Sequence, residues 1–136
     1  NVGLRDMNTQ YFKGSAYTAA WYLGLITGPG SGNTYAAGDT MSSHAGWTEV
    51  TAYSQSTRPT CTFGTPTTAN PSVATNSASQ ASFSINATTT VGGAFLCSAA
   101  TGTTGTLFSA SDFTGGDRSV VNGDTLQVTY TFSLSA

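Results

Sequence analysis

Residues 125–134 read TLQVTYTFSL, and apolar and polar side chains alternate along this stretch. The apolar set occupies every second position and comprises Leu126, Val128, Tyr130, Phe132 and Leu134. Because successive side chains of a strand point to opposite faces, this period of two predicts a β-strand with one buried face. Burying the whole set corresponds to about 10 kcal/mol of gross hydrophobic free energy, so we expect a central strand rather than an edge.

The same alternation recurs upstream of this strand. It is present in residues 17–26, where Trp21, Leu23 and Leu25 share one face, and again in residues 81–87 and 91–98. Turn-forming residues, such as those of 122–124 (NGD), separate the segments. Seven or eight short strands joined by such turns predict an all-β protein with an antiparallel β-sandwich. The pattern alone leaves jelly-roll and immunoglobulin-like topologies open.

The first residues follow a helical pattern instead. Leu4, Met7 and Tyr11 are spaced i, i+3 and i+7, which predicts one apolar helical stripe, and Lys13-Gly14 resembles a helix C-terminus. We therefore expect a short helix or ordered arm over residues 3–12. Because an isolated helix of this length is marginal in water, it must dock on another surface. The predicted organisation is an N-terminal helix or arm, 1–14, and a β-sandwich domain, 15–136.

Charge is scarce in this sequence of 136 residues. Only 7% of the residues are charged, and four cations against six anions give a net charge of −2. Such a chain neutralises few phosphates, so no nucleic-acid partner is expected. No apolar run approaches 18 residues, so no membrane span is expected. Few charges repel neighbouring molecules, which suits a protein that works packed against partners.

Two cysteines are too few for a disulfide scaffold. Cys61 and Cys97 both lie in apolar, strand-like stretches. We favour two buried free thiols that act as small hydrophobic side chains. A single cross-strand disulfide is the alternative.

Residues 37–49 (AGDTMSSHAGWTE) contain the one histidine of the sequence. A hydrolase centred on Ser42, Ser43 and His44 would need a third group to orient the base, and one flexible loop rarely achieves this. The spacing of Asp39, His44 and Glu49 matches no compact metal-ligand pattern. A structural role is favoured, with Trp47 anchoring the loop to the core and the polar side chains bonding backbone donors. We therefore assign no catalytic residue, metal or cofactor.

Aromatic residues crowd the first half of the chain. Core packing is the favoured role of Trp21 and Trp47, since a sandwich of this size needs large side chains. The roles of Tyr35 and Tyr53 stay open, because exposed aromatic rings also stack on sugars.

Several segments resemble, in order and spacing, small virion-associated structural proteins of tailed bacteriophages, of the capsid cement or decoration type. The resemblance covers nearly the whole chain and is carried by residues 11–14 (YFKG), 21–26 (WYLGLI), 38–49 (GDTMSSHAGWTE), 83–86 (FSIN), 92–96 (GGAFL), 104–107 (TGTL) and 123–130 (GDTLQVTY). It implies a β-sandwich or jelly roll on the outer surface of the capsid, assembled in the host cytoplasm. It brings no catalytic residues.

The leading hypothesis is therefore a non-enzymatic protein that bridges capsid subunits, binds the major capsid protein and forms a homo-oligomer, either a dimer or a trimer. The alternative is a tail or fibre component that recognises host surface carbohydrate. The candidate partner-binding residues are Leu4, Met7, Tyr11, Phe12, Tyr35 and Tyr53.

Overall fold

The computed structural model describes residues 2–12 and 20–135. Within them, helix α1 spans Val2–Tyr11, and the strands are β1 Tyr22–Thr27, β2 Glu49–Val50, β3 Ser72–Thr75, β4 Ala81–Ser84, β5 Thr89–Cys97, β6 Leu107–Asp112, β7 Arg118–Val120, β8 Thr125–Val128 and β9 Thr131–Leu134. The pairings of these strands are antiparallel, which confirms an all-β protein with one short helix. The expected helix end at Lys13-Gly14, the strand start at Tyr17 and the boundary after residue 14 lie outside the described residues.

The largest sheet is built around β5. Its strand order is β2-β1-β5-β6, and β7 pairs with the first residues of β5. Strand β1 places Leu23 and Leu25 on one face, as the alternation predicts, and Ile26 on the other. Strand β5 likewise buries Leu96 on the first face and Phe95 on the second. Both faces of this sheet are therefore covered by other parts of the chain.

The first face packs against a second layer of strands. Leu23, Leu25 and Leu96 share a core with Phe83 of β4 and Val128 of β8. Strands β4 and β8 form one two-stranded ribbon, and β3 and β9 form another. The resulting arrangement is sandwich-like, with Phe83 fully buried between the layers.

The second face is covered by a loop rather than by strands. Residues Met41 and Trp47 of this loop pack on Ile26, Phe95 and Cys97 of the sheet in a separate core. Only 4% of the surface of Trp47 is exposed. This confirms Trp47 as a core residue that anchors the loop.

The single central strand expected over residues 126–134 is wrong. The chain there forms two strands, β8 and β9, and each is an outer member of its ribbon. The division arises because Asn76 pairs with Tyr130, whereas the next three residues of that segment, Ser77–Ser79, have no partner across the ribbon. Alternation specifies the buried face of a strand but not how many neighbours it has.

Both cysteines are buried and free, as expected. They lie in different cores, Cys61 beneath the first face of the large sheet and Cys97 on the second. Burial raises the pKa of the Cys61 thiol to about 11. Each thiol therefore stays protonated at neutral pH and packs as an apolar group.

Candidate interaction surface

Helix α1 lies directly against strand β6. At the point of contact, a β-carbon on Gly3 would overlap the backbone carbonyl of Phe108. Glycine therefore permits an approach that any other residue would prevent. Strand β6 of the same chain thus provides part of the docking surface that a helix of this length requires.

An apolar groove of about 330 Å³ opens beside α1. Met7 lines it from the helix, and Trp21, Phe63, Phe108 and Phe132 form its aromatic wall. The rings of Trp21 and Phe108 meet edge to face with centroids 5.4 Å apart, and those of Phe108 and Phe132 do so at 5.5 Å. Three of the four wall residues come from β6, β9 and the residue preceding β1, so folding brings them together from distant parts of the chain.

Two adjacent aromatic side chains at the end of α1 point into solvent. Tyr11 is 83% exposed and Phe12 is 79% exposed, and their rings meet edge to face at 5.0 Å. Scattered apolar side chains on a surface are ordinary, whereas contiguous exposed ones mark contact sites. The backbone of Leu4 lies in α1, but its side chain falls outside the described residues.

The other two candidate tyrosines are held within the fold. The hydroxyl of Tyr35 donates a hydrogen bond to the Asp112 carboxylate. Burial, followed by this carboxylate, raises the pKa of Tyr35. Tyr53 packs edge to face on the buried Phe83 ring at 5.1 Å, and burial raises its pKa as well. Neither ring is as open to a partner as the rings of Tyr11 and Phe12.

Residues 37–49 are organised as a structural loop. The Asp39 carboxylate accepts hydrogen bonds from the Trp47 indole N–H at 3.1 Å and from the backbone N–H of Ala36. The His44 ring stacks on Trp47 at 3.7 Å, and its Nδ1 atom lies 3.1 Å from the carbonyl oxygen of Trp47. Asp39 and His44 are thus both engaged by Trp47, while the Ser42 hydroxyl contacts Thr40. The histidine, carboxylate and serine form no relay in this arrangement.

A largely buried ion pair ties strand β2 to the loop that follows it. Arg58 is 5% exposed and forms two hydrogen bonds of 2.7 Å with the Glu49 carboxylate. Its guanidinium also donates to the carbonyl oxygens of Ala99 and Gly102 and lies over the Phe95 ring. The hydrogen bond to Glu49 is the main cause that raises the pKa of Arg58, against the opposing effect of burial. The contacts of the Arg58 guanidinium therefore lie within the fold, and its role is structural.

The loop carboxylates are also engaged with neighbouring groups. Asp117 accepts a hydrogen bond from the backbone N–H of Gly30 at 2.8 Å, and Asp112 contacts both Tyr35 and Asn33. Among residues 2–12 and 20–135, no group of three or more His, Cys, Asp or Glu side chains is arranged to hold a metal ion. In the same part of the chain, no helix is long and apolar enough to cross a membrane.

Sequence patterns revealed only part of this surface. They identified Met7, Tyr11 and Phe12 as members of one segment, and placed Trp21 and Phe132 on inward faces. They did not identify the groove, because its wall depends on Phe63 and Phe108 being brought beside β9 by tertiary packing. No local period in the sequence encodes that contact.

The chain matches no family model, no curated protein and no solved structure in comparisons with known proteins.

Proposed function

We propose that this chain is a non-enzymatic capsid decoration protein, with a jelly-roll-like sandwich, that binds the outer surface of a phage head and bridges subunits of the shell. The observation that carries the proposal is the exposed pair Tyr11 and Phe12, presented at the end of a docked helix. Two contiguous aromatic rings provide a large apolar contact area at low entropic cost. Aromatic residues of this kind are enriched where one protein anchors on another.

The rest of the surface supports the same role. Only 7% of residues are charged, so many copies can crowd on a shell with little mutual repulsion. Among residues 2–12 and 20–135, Arg58 is the one buried cation, and its guanidinium bonds to Glu49 and to backbone carbonyl oxygens. Weak contacts repeated over a symmetric shell accumulate through avidity, so a small anchor per copy suffices. In this proposal the partners are the major capsid protein and further copies of the chain.

A tail or fibre component that binds host carbohydrate is the second candidate. It is favoured by the half-buried Asn33 amide and the exposed Asp112 carboxylate beside the Tyr35 ring, since amide and carboxylate groups next to an aromatic ring suit sugar hydroxyls. Trp47, in contrast, is buried and unavailable for stacking. A glycan array tests this candidate: binding that is lost in Tyr35→Ala would favour it, and a blank array would count against it.

The decoration role is tested by binding the full chain to empty shells of its source virus and separating bound from free protein by sedimentation. We expect saturation near one copy, or a simple fraction, per shell subunit. The double variant Tyr11→Ser/Phe12→Ser should weaken binding at least tenfold. Val121→Ser is the matched control, because Val121 is also an exposed apolar side chain, at 51%, but is remote from α1 in sequence. Equal binding of both variants would reject the anchor.

A further inference from the structure

The ribbon strands β8 and β9 have one edge that faces their partners and one that faces away. Tyr130 exchanges hydrogen bonds with Asn76, and the Asp124 carbonyl accepts one from Ile85, so the even-numbered residues here use their backbone groups inward. The backbone N–H and C=O groups of successive residues in an antiparallel strand point to alternate edges. The outward N–H and C=O groups therefore belong to Thr125, Gln127, Thr129, Thr131 and Ser133.

This outer edge is unpaired within the described residues. Strand β8 pairs with β4 and strand β9 with β3, and neither strand has a second neighbour among residues 2–12 and 20–135. No hydrogen bond in the described part of the chain involves the outward backbone groups of residues 125–133. All five outward residues are exposed. At roughly 3.3 Å per residue, the unpaired edge of residues 125–134 is about 33 Å long.

The edge also lacks the features that normally prevent strand pairing. Residues 125–134 contain no lysine or other charged residue and no proline. Natural proteins protect exposed edges with lysines, prolines, bulges or covering segments. The opposite edge of the same ribbon shows such covering: the segment near Thr67 bonds to Val73 of β3. In the β3–β9 ribbon, the edge of β3 is therefore covered and the edge of β9 is open.

We propose that this open edge pairs in antiparallel fashion with the same edge of a second copy of the chain. The proposal deepens the homo-oligomer part of the proposed function, but it does not depend on capsid binding. An antiparallel edge is complementary to itself about a twofold axis, which is the commonest symmetry of homo-oligomers. Five outward residues on each copy supply about ten hydrogen bonds in the register of full overlap.

Charge favours a second copy over an unlike partner. The outward side chains are threonine, glutamine and serine, so two copies approach without like charges meeting. Hydroxyl-bearing side chains directly opposite one another also bond across strands. Strands β3 and β9 already show this, with the hydroxyls of Thr75 and Thr131 3.3 Å apart. The joined ribbons would form one continuous sheet across the dimer.

The first test measures the mass of the full chain by light scattering over a range of concentrations. We expect twice the 13.8 kDa of one chain. The variant Gln127→Lys/Thr131→Lys should weaken the dimer at least tenfold, because full overlap places position 127 of one copy opposite position 131 of the other, so like charges meet twice. The control Ser31→Lys/Thr48→Lys adds the same charge at exposed positions and should leave the dimer intact. A monomer at every concentration, or equal effects of both variants, would overturn the proposal.

The second test locates the axis by cross-linking. Full overlap places Thr129, the middle outward residue, opposite its own copy. Because Cys61 and Cys97 are buried, Thr129→Cys introduces an accessible thiol into a chain whose own thiols are protected. Mild oxidation should give a covalent dimer for this variant and not for the control Thr48→Cys. A persistent dimer with equal cross-linking of both variants would overturn the proposed edge. If the full chain forms the dimer but does not bind shells, only the capsid role is rejected.

Discussion

The side-chain oxygen of Asn76 accepts a hydrogen bond from the backbone N–H of Tyr130 at 2.7 Å. The Asn76 amide group also donates to the carbonyl oxygen of Val128 at 3.2 Å, and the Asn76 backbone N–H donates to that of Tyr130. The Asn76 side chain thus supplies pairing groups to Val128 and Tyr130. It does so where three extra residues, Ser77–Ser79, interrupt the pairing of the two segments. Asn76 is only 1% exposed, so none of these bonds is exchanged easily for water.

Replacing Asn76 should therefore be costly. In Asn76→Ala the buried N–H of Tyr130 and the carbonyl of Val128 lose their partners, and we expect a loss of about 2–3 kcal/mol in the free energy of unfolding. Urea denaturation followed by circular dichroism measures it. Asn86→Ala removes the same group from an exposed asparagine and should change stability by less than about 0.5 kcal/mol. Equal effects of the two substitutions would mean that Asn76 does not join the ribbon segments.

This junction shows where sequence reasoning succeeds and where it stops. The alternation in residues 125–134 correctly placed Val128 on an inward face, because side-chain direction follows from the local period. It failed to place the break before Thr131, because the break depends on an asparagine more than fifty residues away. A hydrogen bond between residues far apart in the chain produces no periodic pattern in the sequence around either residue.

The loop of residues 37–49 shows the opposite case. Its structural role could be predicted, since a tryptophan among short polar residues has one ready way to be buried. The specific bond from Trp47 to Asp39 could not be predicted, nor could the stacking of His44, because both depend on the path of the loop over Phe95.

Helix α1 packs closely on β6 at Gly3, so a larger side chain at this position should have a local effect. In Gly3→Val the added side chain overlaps the carbonyl of Phe108, so we expect the helix to separate from β6 while the core between the large sheet and the ribbons stays intact. Hydrogen exchange should show protection of the α1 amides falling at least tenfold, with little change in β5. Asn8→Ala, at an exposed position of the same helix, should retain protection. Unchanged exchange in Gly3→Val would mean that α1 does not need this contact.

The Glu49–Arg58 pair predicts that removing both charges costs less stability than removing the carboxylate alone. Glu49→Ala leaves a buried guanidinium without its carboxylate, and we expect a loss of about 3–5 kcal/mol. The double variant Glu49→Leu/Arg58→Met removes both charges and fills the space with apolar groups, so it should be markedly more stable than Glu49→Ala. Chemical denaturation of the three proteins tests this. A double variant less stable than Glu49→Ala would show that the bonds from Arg58 to Ala99 and Gly102 dominate.

Burial of neutral acidic groups predicts that the protein loses stability in alkali. Burial raises the pKa of Cys61 to about 11 and also raises the pKa of Cys97, Tyr53 and Tyr130. A group whose pKa is raised on folding binds its proton more tightly in the folded state. Its contribution is therefore complete below the unfolded-state pKa, near 8.5 for cysteine, and is lost as the pH rises through the folded-state value. The urea midpoint should hold steady from pH 6 to 8 and fall steadily between pH 9 and 11. Cys61→Ala should show a shallower fall over that range than the parent chain, because one of the responsible groups is gone. A midpoint that stays constant up to pH 11, or an identical slope for Cys61→Ala, would show that the buried thiol does not link stability to pH.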